Sequence, residues 1–387
     1  MHSHDALRED LDCDVLIVGA GITGALIADT LSADGMKVAV IDRREAGWGS
    51  TAASTALLQY EIDTELHDLA GRVGLDAALL AYRACEMAVR RLLAMGKRLR
   101  GVGMARADSL YVASRDRHVR RLRAEAKLRR AHGFDVLTLE SAALRNDFGI
   151  DAPLGLLTPM AARVDPYRLA HALLDRTLRR GCRIHGRTEL ADFRVHRGRV
   201  VAVTTDDRTI VCRHLVLAAG YECQGHIDER VARNRSTYAF ISEPLANPET
   251  WRELLLWESA RPYLYLRTTA DRRLIVGGED DGMDRPARRD ARVAVKAERL
   301  QQRCRELLPD LSLRRAFAWA GTFAETGDGL PFFGPHPQHG PRVHFAMAYG
   351  GNGITYSAIG ARILLDSLRG RTHPCARLFS FSRRVLG

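Results

Sequence analysis

The 387-residue sequence predicts an α/β fold, and three stretches carry that prediction. The first is Asp14-Val-Leu-Ile-Val18, a short apolar run that stops at Gly19. Such a run reads as a buried parallel strand. From Thr23 to Ala33, residues Ala25, Leu26, Ala28 and Leu31 recur at helical spacing, Gly35 closes the helix, and Lys37-Val-Ala-Val-Ile41 is a second buried strand. This strand–turn–helix–strand unit has the length a βαβ crossover needs. The second stretch, Leu215-Val-Leu-Ala-Ala-Gly220, is again apolar and runs into glycine. The third is a strand at Val343 to Ala348 that enters a glycine-rich turn before a helix from Tyr356 to Leu368.

The other elements follow from local pattern. Residues 61–99 form an amphipathic helical region, Leu110 to Val112 a short strand, Arg117 to His132 a charged helix and Leu139 to Asn146 a shorter one. Pro166 to Arg180 is a helix closed by Gly181. Strands follow around Cys182 to Ile184, Ala191 to His196, Val200 to Thr205 and Ile210 to Cys212. Thr237 to Ser242, Tyr263 to Thr268 and Arg273 to Gly277 read as antiparallel strands, and Ala291 to Leu308 as a long helix.

Composition bounds the function. A chain of this length is long for one simple domain, so two domains, or one domain with a large insertion, are expected. The net charge of +11 invites a nucleic-acid partner. Yet only Lys37, Lys97, Lys127 and Lys296 are lysines, and such an arginine skew fits a coding bias better than a patch. The densest basic stretch, Arg115 to Arg130, has helical spacing and few aromatics, so it reads as a solvated helix face. Seven cysteines without a CxxC pair argue against a disulfide framework and against a metal site. Met1 to Asp14 lacks the apolar core of a signal peptide, and no run of about 18 apolar residues exists. The expected location is the cytoplasm.

The glycine turn Gly19-Ala-Gly-Ile-Thr-Gly24 stands between a strand and a helix, the context that gives a GxGxxG meaning. Gly19 permits the tight turn, Gly21 lets the backbone approach a pyrophosphate, and Gly24 lets helix and strand pack closely. Unpaired N–H groups at the helix start attract phosphates. Asp42 ends the second strand, where a carboxylate accepts hydrogen bonds from both hydroxyls of an adenosine ribose and disfavours a 2′-phosphate. The residues thus point to a Rossmann-like dinucleotide site that disfavours NADP, and leave FAD and NAD open.

Further segments resemble the D-amino-acid oxidase superfamily of FAD enzymes, which includes glycine oxidase and sarcosine oxidase. They are Gly49-Ser-Thr-Ala-Ala-Ser-Thr-Ala-Leu57, Arg163-Val-Asp-Pro-Tyr167, Val216-Leu-Ala-Ala-Gly-Tyr221, Trp319 to Pro331, and Tyr349-Gly-Gly-Asn-Gly-Ile-Thr355. Their order matches over about residues 13–384. The resemblance implies a discontinuous FAD-binding domain from residues 1–85, 150–228 and 322–387. It also implies an α+β substrate domain with an antiparallel sheet from 86–149 and 229–321. The implied cofactor contacts are Gly19, Gly21, Ile22, Thr23, Gly24, Asp42, Arg43, Ser50, Thr51, Ser54, Leu57, Leu190, Ala219, Gly220, Gly350, Gly351, Asn352, Gly353, Ile354 and Thr355. In the family the last of these turns places helix N-terminal N–H groups at the flavin N1/O2 edge.

The implied chemistry is oxidation of a C–N bond in an amine or amino acid, with hydride passing from carbon to flavin N5. Positioning dominates such a reaction, so His226, His336 and His344 are not promoted to catalysts. In the glycine-oxidase version, basic residues that bind the substrate carboxylate stand where this chain has Phe323 and Gly351. Tyr263 matches a substrate-contacting tyrosine. Strand alternation puts Tyr263, Tyr265 and Arg267 on one face, so Arg267 is the replacement anchor to test against a plain ion pair. The sarcosine-oxidase branch attaches its flavin through a cysteine. Here Ala320 and Gly321 stand at the nearest positions and Cys304 belongs to the preceding helix, so FAD is expected to be non-covalent. That branch's oxygen-promoting lysine has no counterpart in Leu274 to Gly277, which leaves the acceptor as oxygen or another oxidant. Two alternatives remain: oxidation of a 2-hydroxy acid or alcohol, and a basic flavoprotein subunit that mainly binds a partner.

Overall fold

A computed structural model describes residues 3–246, 253–282 and 284–383. The chain divides into two compact units. The first comprises Met1–Ser54, Pro166–Arg233 and Phe323–Gly387, and the second Thr55–Asp165 and Asn234–Thr322. Residues 55–85 and 150–165 therefore lie in the second unit, outside the bounds the sequence implies, because their elements pair and pack there. The first two and last four residues of those expected ranges, together with 247–252 and 283, are outside the described residues.

The first unit is built on a sheet ordered Phe332–Pro335, Val343–Met347, Thr209–Leu217, Leu11–Val18, Val38–Ile41, Arg183–His185. Its central pairings are parallel, in register Leu16↔Leu215 and Leu16↔Ala39. Such strands bury both faces, which is why Val15, Leu16 and Ile17 are almost fully buried. Helices Ile22–Ala33, Pro166–Arg179 and Gly353–Leu368 pack with this sheet, the first against both of the others. The sequence predicts two strands at 210–212 and 215–220, whereas the structure has one, Thr209–Leu217. That strand changes partner along one edge. Its first half pairs with Arg199–Thr204 and its second half with Val343–Met347.

The second unit holds a sheet ordered Arg315–Glu325, Arg233–Ser242, Leu274–Asp281, Leu264–Thr268, Leu254–Glu258, Ala105–Val112, Leu154–Arg163, Leu57–Gln59. Among the described registers, all are antiparallel except that of Leu254–Glu258 with Ala105–Val112, which is parallel. One face is apolar: Leu110, Tyr238, Phe240, Leu256, Leu264, Leu266 and Val276 pack with Ala297, Leu300 and Cys304 of the helix Val293–Leu307. Cys304 is thus a core residue. The region 61–99 is two helices, Leu66–Val73 and Leu75–Gly96, because Gly74 takes φ +87° between them. Leu137–Glu140 is a strand followed by a helix from Ser141 to Phe148, rather than one helix from Leu139. The ten-residue strand Leu154–Arg163 has no clear sequence signal, since Pro159 interrupts it and its pattern does not alternate.

Candidate active site

In the first unit, strand Leu11–Val18 ends at a turn shaped for close approach of backbone. Gly19 sits at φ +111°, donates its N–H to Ile41 O at 2.8 Å, and would bring a Cβ to 2.5 Å from Ala218 O. A Cβ on Gly24 would overlap Gly19 O, so the third glycine lets the helix lie against its own strand. Gly21 is the helix N-cap and has no side chain to cap with. Thr51 supplies the cap from another segment: its Oγ1 accepts the Ile22 N–H at 2.9 Å and leaves no room for a Cβ on Gly21. The helix Ser50–Ala53 is in this way tied to the glycine turn. Asp42 accepts N–H bonds from Ala20 at 2.7 Å and Arg44 at 2.8 Å. Burial raises its carboxyl pKa, and these two N–H donors and the Arg44 charge oppose the rise. Arg43 pairs with Glu222 at 2.5 Å, and Arg44 reaches the same carboxylate at 3.3 Å.

The chain returns to this region twice. After Leu217, Ala219 donates its N–H to Cys223 Sγ at 3.2 Å, and Cys223 donates to Leu217 O at 3.5 Å. These bonds shape the 3₁₀ turn Gly220–His226, which begins with Gly220 at φ +62°. The last helix, Gly353–Leu368, starts beyond Gly350, whose N–H is held by Ala324 O at 2.9 Å. Thr23 and Ser357 share a buried hydrogen bond of 2.7 Å, so the N-terminal turns of the first and last helices meet. Two positive helix ends brought together make a strong anion-binding region. The loop before the last strands is organised by Asp328, which accepts from Thr326 Oγ1 and the Leu330 N–H. Arg383 closes that loop with bonds to both Asp328 oxygens, Pro331 O and Leu330 O. Leu190 lies half-buried against the core of this unit.

In the second unit, the sheet face opposite the helix Val293–Leu307 is aromatic and polar. Tyr111, Trp257, Tyr265 and Gly277 are partners in register across four strands. Tyr111 and Trp257 stack at 3.8 Å, and the Trp257 indole donates to Ser109 Oγ. Gly277 provides the space into which the Tyr265 ring lies, since any Cβ there would meet its phenol carbons and oxygen. Tyr263 lies 5.6 Å from Tyr265 on the same face, and the Arg261 guanidinium stacks 4.8 Å over it. Burial is the main reason the Tyr265 hydroxyl is pushed up to about 12, and the nearby Asp280 carboxylate adds to it. Arg267 is 4% exposed and donates to three main-chain carbonyls, those of Thr55, Val164 and Thr268. Burial first, and then repulsion from Arg163, lowers its pKa to about 10.

Residues 14–367 match the family model described as DAO, FAD dependent oxidoreductase. The chain belongs to this family. It is 26% identical over 373 residues to glycine oxidase of Bacillus licheniformis, covering 92% of this chain and 93% of that one. It is 24% identical over 381 residues to gamma-glutamylputrescine oxidoreductase of Escherichia coli K12, covering 95% and 86%. The crystal structure of glycine oxidase from Geobacillus kaustophilus shares the fold, with a TM-score of 0.81 at 20% identity over 97% of this chain and all of that one.

The cofactor of this FAD-dependent oxidoreductase family fits the first unit. Its glycine cradle admits no side chain, its carboxylate stands at the strand end, and two helix starts converge beside it. Of the expected contacts, Gly19 to Gly24, Asp42, Arg43, Ser50, Thr51, Ser54, Leu190, Ala219, Gly220 and Gly350 to Thr355 all belong to this unit. Leu57 begins the strand Leu57–Gln59 of the second unit, as Tyr263 and Arg267 belong to the second. Sequence reasoning missed Tyr111, Trp257, Gly277 and Asp280. Their association depends on strand register between residues far apart in the chain, which no local pattern encodes.

Proposed function

We propose that the enzyme oxidises the C–N bond of an amine or amino-acid-like substrate, with non-covalently bound FAD as hydride acceptor. The observation that carries the reading is the convergence of the glycine turn, Asp42 and the Gly350–Thr355 turn in one unit of a chain that matches the family over most of its length. The N–H groups of the Gly19–Gly24 turn hold the pyrophosphate, Asp42 the ribose, and the start of the last helix the flavin edge that becomes negative on reduction. Bound FAD supplies the hydride-accepting chemistry. The protein supplies orientation and exclusion of water. Tyr263 and Tyr265 border the substrate. Arg267 acts through the backbone it holds: three of its N–H groups are committed to carbonyls, which favours a substrate without a free carboxylate. Phe323 and Gly351, both uncharged, agree with that.

Seven buried cysteines, none of them in a disulfide, suit a reducing cytoplasm, and among the described residues no helix is long and apolar enough to cross a membrane. The basic stretch Arg115 to Arg130 is partly used within the fold, which weighs against a partner-binding role. Arg121 pairs with Glu65 and Asp68, Arg123 with Glu140, and Arg129 with Glu125.

The test begins with the visible spectrum of the purified protein and the identity of the flavin released on denaturation. Anaerobic flavin bleaching is then screened with amines, D- and L-amino acids, N-methyl amino acids and 2-hydroxy acids. Bleaching by amines or amino acids, and not by 2-hydroxy acids, supports the reading. Bleaching by hydroxy acids alone overturns it in favour of C–O oxidation.

A further inference from the structure

We propose that Asp280 is the specificity-determining residue of the Tyr263–Tyr265 face and selects substrates that carry a second cationic group. The proposal rests on the reading of that face as the substrate side.

In Leu274–Asp281, Ile275 and Gly277 lie on the aromatic face, while Leu274 and Val276 point into the apolar core. Strict alternation would send Asp280 to the core side with Gly278. A bulge prevents that. Opposite strand Arg233–Ser242, Tyr238 pairs with Gly278 but Ser236 pairs with Asp281, so one extra residue enters between. Gly278 at φ +135° and Glu279 at φ +56° absorb it. Glu279 then turns to the core side, where it meets Lys296 and Arg303, and Asp281 follows it to Tyr238, Arg292 and Lys296. Between two residues committed to one face, Asp280 is delivered to the other, beside Tyr263 and Tyr265. Bulges re-aim a side chain in this way at functional sites.

The chemistry of the resulting face is cation-selective. Two phenol rings at 5.6 Å offer negative π faces, and the carboxylates of Asp280 and Asp63 both act on Tyr263 and Tyr265. Arg261 is stacked over the Tyr263 ring and donates to Asp63 O, and Arg267 is committed to three main-chain carbonyls. An ammonium group bound there gains from carboxylate and aromatic faces together, and a carboxylate is repelled. The ligand class is an amine with a second ammonium several bonds from the oxidised carbon.

Three probes of equal chain length separate the possibilities: 1,4-diaminobutane, 1-aminobutane and 4-aminobutanoate. Anaerobic rapid mixing of holoenzyme reads the efficiency of flavin reduction, and flavin absorbance changes read binding. The wild type should prefer the diamine to the monoamine and to the amino acid by about 10-fold or more. In Asp280→Asn the diamine-to-monoamine ratio should fall by about 10-fold, and Asp280→Glu should restore most of it. Equal losses on diamine and monoamine, or a wild-type preference for 4-aminobutanoate, overturn the assignment. If no amine reduces the flavin yet Asp280→Asn still selectively weakens diamine binding, the C–N oxidation reading fails while the role of Asp280 stands. If the diamine neither reduces nor perturbs the flavin, the role of Asp280 falls.

Discussion

Asp42 and His344 show how differently two titratable groups, one half-buried and one buried, serve the same unit. The Asp42 carboxylate already holds two main-chain N–H groups and has lone pairs left for a ribose. Asp42→Ala should weaken FAD retention by about 10-fold or more, the loss of roughly 1.5–3 kcal/mol for hydrogen bonds to a charged group. Flavin release under dialysis measures it. His344 is 2% exposed, with Nε2 3.3 Å from His214 Nδ1. Burial, and then repulsion between the two rings, lowers its pKa to about 3, and burial lowers His214 to about 4. As pH falls below about 6.5, the unfolded chain takes up the proton first, so stability is complete above that pH and declines below it. His344 alone should account for about 2 kcal/mol of lost stability at pH 5. Urea unfolding of the wild type and His344→Asn at pH 7.5 and pH 5 checks this, and the variant should show the smaller pH effect. Asp42 was legible in the sequence because its place follows from a fixed offset to a glycine turn. The histidine pair was not, because it arises from the pairing of strands Thr209–Leu217 and Val343–Met347.

Elements are joined in this protein by groups that the elements themselves do not own. The helix Leu66–Val73 receives its N-terminal acceptor from Glu125 of the helix Asp116–Ala131, which takes the Leu66 and His67 N–H groups at 2.9 and 3.0 Å. The same carboxylate pairs with Arg129, which is fully buried, and Glu61 lies 3.5 Å from that guanidinium. Glu125→Ala should cost about 3–5 kcal/mol, the penalty for leaving a buried charge short of a partner, and denaturant unfolding would show it. The bulge in Leu274–Asp281 is a second case. Gly278→Ala places a Cβ against Tyr263 O at a φ that alanine avoids, so it should destabilise by about 1–3 kcal/mol and also blunt diamine preference. A melting curve and the three-probe comparison test the two halves of that expectation separately. Arg117 to His132 was read as a charged helix from composition and spacing, and it is one. Its use of Glu125 and Arg129 as buried connectors could not be read, because burial depends on which helices pack beside it. The bulge escaped for a related reason: Gly277-Gly278 looks like a strand end until the opposing register is known.

The first unit is assembled from three stretches of chain separated by long insertions. Phe332–Pro335, Val343–Met347 and Gly353–Leu368 are all part of its sheet and helix layers, so a fragment ending at Thr322 lacks both an edge of the sheet and the flavin-edge turn. Such a fragment should carry no FAD, which the visible spectrum of the purified or refolded fragment would reveal. Retention of flavin by it would contradict the proposed contacts at Gly350 to Thr355. The family and the α/β class were legible because the motif segments occur in order along the chain. The bounds of the two units were not, since residues 55–85 and 150–165 join the second sheet through pairings such as Leu57↔Arg163. The parallel pairing of Leu11–Val18 with Thr209–Leu217 also has a consequence in time. A ribosome makes the first of these strands long before the second. At about 5–20 residues per second the edge of the earliest strand waits roughly 10–40 s for its partner, an interval in which a chaperone has the best access to it.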